Sequence, residues 1–314
     1  MKIAIRLFLA VVILVVVCVG ALLFTFTAAT LDYSPLNAES LPAASSPAEM
    51  TISSLPTGAM ESKAFFAYRG GGFSDNRDFT MTAYLVSHPK GDLLFDAGFG
   101  RNVDEHVTMM PSLMKQLTAY KKGVPAADQL ESSGYSVDKL AGVVLTHSHW
   151  DHVSGLDSLP GVPVWVNVAE TAFIASKSPM TELIRSFVLV NYKQYDFKSG
   201  PYLGFPESHD FWGDGSVVLV PSPGHTPGSI IAFISMPSGK RYALLGDLVW
   251  QAEAVQIPAE RPWLSRRLVR ENDSQVRENI ARIAAIHKRF PEIVMVPAHD
   301  DRGANVPVYP AGAP

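Results

Sequence analysis

The chain has a single cysteine, Cys18, and it lies inside a long apolar run near the N-terminus. Everything after that run is therefore without thiols, can form no internal disulfide and can offer no thiolate to a metal. Its stability has to come from a hydrophobic core and from any metal it binds. An excess of positive charge is missing as well: 26 Lys and Arg face 30 Asp and Glu, for a net charge of −4. A basic face, the usual footprint of nucleic-acid binding, is not expected. Charge of either sign is absent between Arg6 and Asp32, and that absence points to a membrane.

The stretch 7–29 is free of charge and largely apolar. As a helix it spans about 35 Å, enough for a hydrocarbon core of about 30 Å. Lys2 and Arg6 ahead of it predict a cytoplasmic N-terminus with the rest of the chain outside. A cleaved signal peptide is the competing reading, with Thr27-Ala28-Ala29 as a small-residue cleavage site. The run exceeds the usual signal core of about 7–15 residues, which favours an uncleaved anchor. The expected location is a bacterial-type inner membrane with the domain on the periplasmic side, or secretion if the segment is cleaved. The expected division is residues 1–31 as anchor or signal, 32–59 as a Pro/Ser/Ala-rich linker and 60–314 as the folded domain. A short packed arm is the alternative for the linker.

Within the domain, residues 64–68, 80–86, 93–95, 141–145, 162–168, 217–220, 230–234, 242–245 and 293–296 read as strands. Residues 103–120, 126–133 and 272–290 read as helices. Eight aromatics between Phe187 and Trp212 are candidates for a substrate pocket, a membrane-facing patch or the core of a helical insertion. Arg261, Arg266, Arg267 and Arg270 form the one basic cluster, read as a solvated face or a contact with anionic lipid.

The chain is organised around Thr146-His147-Ser148-His149-Trp150-Asp151-His152. Alternation along an extended segment sends His147 and His149 to one side, and a turn brings Asp151 and His152 to a second centre. Imidazole and carboxylate suit zinc, although iron, manganese or cobalt use the same ligands. Three more strands end in residues of this type: His225 in a Pro- and Gly-rich loop, Asp247 after Gly246, and His299 before Asp300. Seven ligands suit two metals sharing one carboxylate. Asp96, at the end of another strand, is a candidate hydrogen-bond partner for a ligand histidine or, equally, the start of a turn with Gly98.

These motifs, in this order over residues 60–305, resemble those of the metallo-β-lactamase superfamily of hydrolases. The resemblance implies an α/β fold of the αββα four-layer sandwich type, preceded here by the N-terminal transmembrane or signal helix. It implies two zinc ions, with His147, His149 and His225 on the first, Asp151, His152 and His299 on the second, and Asp247 as the bridge. A metal-bridging hydroxide would attack an acyl carbonyl, with Asp151 as the proton shuttle.

Departures narrow the substrate. Many β-lactamases of the superfamily use a cysteine ligand, which this chain cannot supply, and lack the bridging aspartate. The acyl homoserine lactonases resemble it more widely, from Gly134-Tyr135 through the histidine motif to the final His-Asp. They carry a substrate-contacting tyrosine three residues after the bridging aspartate, where this chain has Trp250; Tyr192 or Tyr195 could compensate. The expected function is an exported, tethered hydrolase opening an ester or lactone of a small acyl substrate. The alternatives are a β-lactamase of the all-histidine/aspartate subgroup, a thioesterase of the glyoxalase II type, and a phosphodiester hydrolase.

Overall fold

The computed structural model describes residues 2–188 and 190–310. Among these, twelve strands form two sheets. The first holds β1 (Thr51–Lys63), β2 (Asn76–Ser87), β3 (Asp92–Phe95), β4 (Ala119–Lys122), β5 (Leu140–Val144), β6 (Pro163–Asn167) and β7 (Asn191–Tyr195), in the order β4-β1-β2-β3-β5-β6-β7. The second holds β8 (His209–Asp210), β9 (Val217–Pro221), β10 (Ile230–Ser235), β11 (Arg241–Leu244) and β12 (Ile293–Val296), in the order β12-β11-β10-β9-β8.

The helices are α1 (Lys2–Phe24), α2 (Ala64–Ala67), α3 (Val103–His106), α4 (Ser112–Leu117), α5 (Ala126–Ser132), α6 (Trp150–Val153), α7 (Val168–Ala175), α8 (Glu182–Ser186), α9 (Glu253–Gln256), α10 (Trp263–Leu268) and α11 (Asp273–Arg289).

Period-two alternation explains the layering. In β9, Val217 and Leu219 join the core between the sheets, while Val218 and Val220 pack with α11. In β10, Ile230, Ala232 and Ile234 point inward, and Ile231 and Phe233 outward. Ile52, Val86, Phe95 and Val144 of the first sheet complete the inner core. The outer face of the first sheet buries Met81, Leu85 and Val143 with residues of α5, α6 and α8. The stripe Val276, Ile280, Ile283 and Ile286 of α11 closes the other side. Four layers result, αββα, as the resemblance implied.

Four local expectations need correction. Residues 64–68 are not a strand, because 64–67 make the single turn α2. β1 and β2 pair in antiparallel fashion up to Lys63↔Asn76, so residues 64–75 must reverse the chain. Residues 103–120 are not one helix. Pro111 separates α3 and its 3₁₀ extension from α4, and Ala119 onward is β4, paired to β1. The apolar N-terminal helix covers Lys2–Phe24 instead of residues 7–29, and none of its residues is buried.

The expected linker 32–59 carries no helix or strand up to Met50, but parts of it are packed on the domain. Its last stretch, from Thr51, belongs to β1. Leu36, Ala38 and Leu41 pack against the core beside α11. Ser45 N–H donates to Asp214 O (2.7 Å), and Arg289 donates to Ala38 O (2.9 Å) and Glu39 O (2.6 Å). These contacts fit the alternative reading, a packed arm.

Candidate metal centre

β3, β5, β9, β11 and β12 all end at one rim of the sandwich. β3 and β5 are parallel, as are β11 and β12. The rim is stitched by Asp96 N–H to Val144 O (3.0 Å), Ile230 N–H to Thr146 O (3.0 Å) and Leu245 N–H to Val296 O (2.8 Å). The sheets therefore deliver Asp96, the His147 segment, His225, Asp247 and His299 to one place. Gly246 sits at φ +52°, a left-handed conformation that side chains rarely adopt, directly before Asp247.

The seven candidate ligands fall into three groups, within each of which the ligand atoms lie no more than 4.8 Å apart: His147, His149 and His225; His147, His152 and Asp247; Asp151, His152 and His299. Asp247 stands between the two ends. Its Oδ2 is 3.2 Å from His225 Nε2, and its Oδ1 is 3.0 Å from His152 Nε2 and 3.1 Å from His299 Nε2. His149 Nδ1 is 2.9 Å from His225 Nε2. Asp151 Oδ2 is 3.5 Å from His299 Nε2, and Asp151 lines the pocket.

Four of these buried atoms, His147 Nε2, His149 Nε2, His152 Nε2 and Asp247 Oδ1, have no hydrogen-bond partner among the described residues. They are close to one another without hydrogen-bond geometry, an arrangement that costs free energy in a dry interior unless a cation relieves it. The donor set and these orphaned atoms fit divalent metal.

Several rings are held from behind. His152 Nδ1 is 2.8 Å from Asp96 Oδ2, and Asp96 accepts from Thr146 N–H and Oγ1–H (2.7 Å each). His299 Nδ1–H donates to Thr80 O (3.0 Å). His225 Nδ1 is 2.8 Å from Glu271 Oε1, and the Glu271 carboxylate is paired with the buried Arg261. Such partners fix ring orientation and tautomer.

Burial, reinforced by neighbouring histidines, holds the pKa of His147 and His149 well below the ordinary imidazole value. Burial also opposes charge on His152, but Asp96 and Asp247 overcome it and hold that pKa well above. His225 and His299 are likewise raised, against burial, by Asp247 first. Burial would raise Asp247, yet His299, His152 and His225 hold it well below the usual carboxylate range.

The pocket over the cluster is apolar. Met60, Met81, Met110, Met114, Met180, Phe66, Phe79 and Val269 wall it, and His149, Asp151, Asp247 and His299 reach it. Among the described residues its lining holds no Lys, Arg or Tyr.

Trp250 lies in this wall but is 4% exposed, and its indole N–H is taken by Asp247. Tyr192 and Tyr195 do not line the pocket. They sit on β7, the edge strand two strands beyond β5, where odd spacing sends them to opposite faces. The other clustered aromatics are scattered too. Tyr202 and Phe205 join the core under α11, while Phe211 and Trp212 line a separate groove with Trp165 and Tyr195. The basic cluster also divides: Arg261 is buried against Glu271, and Arg266 against Glu260 and Asp273.

Sequence reasoning missed the buried Glu170 of α7. Its carboxylate accepts from Ser148 N–H (2.7 Å), Ser148 Oγ–H (2.5 Å), Thr226 Oγ1–H (2.7 Å) and Gly228 N–H (3.0 Å), joining the His147–His149 segment to the His225 loop. A Cβ on Gly228 would stand 2.2 Å from Glu170 N, so only glycine permits this approach. The signal in the sequence is Asn167-x-x-Glu170, a helix-capping pattern. Asn167 does cap α7, but the glutamate turns to the two loops instead.

The family model of the metallo-beta-lactamase superfamily matches residues 77–287. The probable metallo-hydrolase Rv2300c of Mycobacterium tuberculosis is 30% identical over 237 residues, covering 69% of this chain and 73% of its own length. The N-acyl homoserine lactonase AttM of Rhizobium johnstonii is 24% identical over 62% of this chain and 75% of its own. A solved N-acyl homoserine lactone hydrolase, with the product N-hexanoyl-L-homoserine at its catalytic metal centre, superposes with a TM-score of 0.63 at 18% identity, covering 82% of this chain and 97% of the other. With its αββα layers, its rim of histidines and aspartates and these relatives, the chain belongs to the metallo-beta-lactamase superfamily and is a metal-dependent hydrolase.

Proposed function

We propose that the protein opens the acyl–oxygen bond of a neutral lactone or ester bearing an apolar acyl chain. The observation that carries this reading is a metal-type cluster at the floor of a pocket walled by methionine and phenylalanine, with no Lys or Arg among the described residues of its lining. β-Lactam antibiotics carry a carboxylate, and phosphodiesters a phosphate, that a site recognises with Arg or Lys. Neither group has an Arg or Lys partner among the described residues of this lining. The lactonase relatives are consistent with the acyl class.

His147, His149 and His225 would hold one metal, Asp151, His152 and His299 the other, with Asp247 shared; zinc is the leading choice, and iron, manganese or cobalt the alternatives. When bound, the pair would supply water activated near neutral pH and polarise the carbonyl. The chain does the rest. Met110, Met114 and Phe79 exclude water and take the acyl chain. Asp151, the one partly exposed acid at the floor, carries a proton to the leaving alkoxide, while water supplies the hydroxyl added to the carbonyl carbon. α1 would anchor the domain on the outer face of a membrane, uncleaved, and small acyl compounds there would be the substrates.

A panel tests the substrate class. The zinc-loaded full chain is offered a decanoyl homoserine lactone, a penicillin and bis-p-nitrophenyl phosphate. Turnover of the lactone with little of the other two supports the reading, and preference for the β-lactam or the phosphodiester removes it.

A further inference from the structure

We infer that the mouth of the pocket lies against the surface of the bilayer that α1 enters, so that the pocket opens onto lipid and not onto bulk water. This rests on the reading of α1 as a membrane span. The joint between α1 and the domain is not a free tether. Phe26, just past α1, packs its ring 5.6 Å from Phe65 and 5.4 Å from Phe73, and Phe65 stacks on Phe73 at 4.7 Å. Gly70 N–H donates to Phe26 O (3.0 Å). Arg69 donates to Phe24 O (3.2 Å) and Thr27 O (3.1 Å), satisfying carbonyls at the end of α1, and is itself held by the buried Glu260 at 3.6 Å.

The pocket begins one residue further on. Phe66 lines it and stacks on Trp250 at 5.7 Å. Ser62, also in the lining, donates to Leu117 O (3.3 Å), which ties α4 to the same corner. α4 contributes Met114 to the pocket and leaves Leu113 and Leu117 exposed. α10 is fixed there too, through Ser265 Oγ–H to Phe66 O (2.7 Å), and it leaves Trp263 45% exposed with the part-exposed Arg267 on the same helix. Phe73 is 58% exposed. Large apolar side chains around a membrane-attached joint, with Trp and Arg among them, have the composition of the headgroup boundary. A long acyl chain dissolved in lipid could then enter the pocket without crossing water.

The native Cys18 makes the test direct. Full-length protein is reconstituted in vesicles of phosphatidylethanolamine and phosphatidylglycerol. It is labelled with an environment-sensitive fluorophore either at Cys18 or, on a Cys18→Ser background, at Phe73→Cys, Leu117→Cys, Trp263→Cys or Val308→Cys. Val308 is exposed and bridges to Ser54, at the far end of β1 from Ser62. The expected result is blue-shifted emission, quenched by brominated lipid, at Cys18 and at the three rim positions, with Val308→Cys water-like. Quenching at Cys18 with rim labels that match Val308→Cys overturns this inference and leaves the anchor standing. A water-like Cys18 overturns both. Lactone opening is assayed apart from either.

Discussion

Trp250 donates its indole N–H to Oδ2 of Asp247 at 2.7 Å, and the Arg261 guanidinium lies 4.6 Å from the centre of the Trp250 ring. The residue that differs from the lactonase pattern therefore donates to Asp247, the carboxylate proposed as the bridge, and it links Asp247 to the Arg261–Glu271–His225 chain. Replacing Trp250 with Phe keeps most of the ring but removes the donor. The expected effect is a roughly 10- to 100-fold loss of metal affinity with the fold retained. Competition with a chromophoric chelator, alongside thermal melting, measures it, and unchanged affinity would show that the indole only walls the pocket.

Glu170 binds four donors from two loops. Glu170→Ala strands buried N–H and hydroxyl groups, each worth about 1–3 kcal/mol when left unsatisfied. A loss of about 3 kcal/mol or more is expected, which for a domain of this size lowers the Tm by roughly 6–12 °C. Urea denaturation of the metal-loaded protein checks the direction, and a change within about 0.5 kcal/mol would deny Glu170 this role.

Metal binding should release protons. His152, His225 and His299 have raised pKa values, so a fraction is protonated near neutrality and a metal has to displace those protons; His147 and His149 are held neutral and contribute none. Affinity should therefore fall as pH falls through the neutral range. Calorimetric titration with zinc at about pH 6.5, in two buffers of different ionisation enthalpy, reads the proton count. Heats that do not depend on the buffer would contradict the coupling.

The methionine-walled pocket should select for acyl length. Burying one CH₂ is worth about 0.8 kcal/mol, or roughly fourfold in kcat/KM per methylene until the pocket is full. A series from butanoyl to dodecanoyl homoserine lactone should climb and then level. A flat series would mean that the chain lies outside the pocket.

The gathering of the seven candidate ligands was legible in the sequence because the segments that carry them follow apolar strands, and strands of a buried sheet deliver their ends to one rim. The αββα layers came from the resemblance alone: β9 and β10 are apolar at nearly every position, so which side chains face the other sheet is not visible in the sequence, although the stripe of α11 is. What could not be read is what depends on long-range partners. Glu170 and Glu271 look like ordinary helix and loop acids until the loops they hold are in place. Arg261 reads as surface charge because its partner Glu271 lies ten residues on, beyond α10. The apolar run at Ala64 has no period long enough to separate strand from helix. Tyr192 and Tyr195 have the phenol chemistry the site would need, but an edge strand carries them away from it.

The most direct test of the account is acid release from decanoyl homoserine lactone by the full chain, followed in weak buffer with a pH indicator. The measurement is made as loaded with zinc, after chelation, after zinc is restored, and with His149→Ala. The expected result is release that chelation abolishes and zinc restores, with His149→Ala nearly inactive while still folded. Release that survives both chelation and His149→Ala would contradict it.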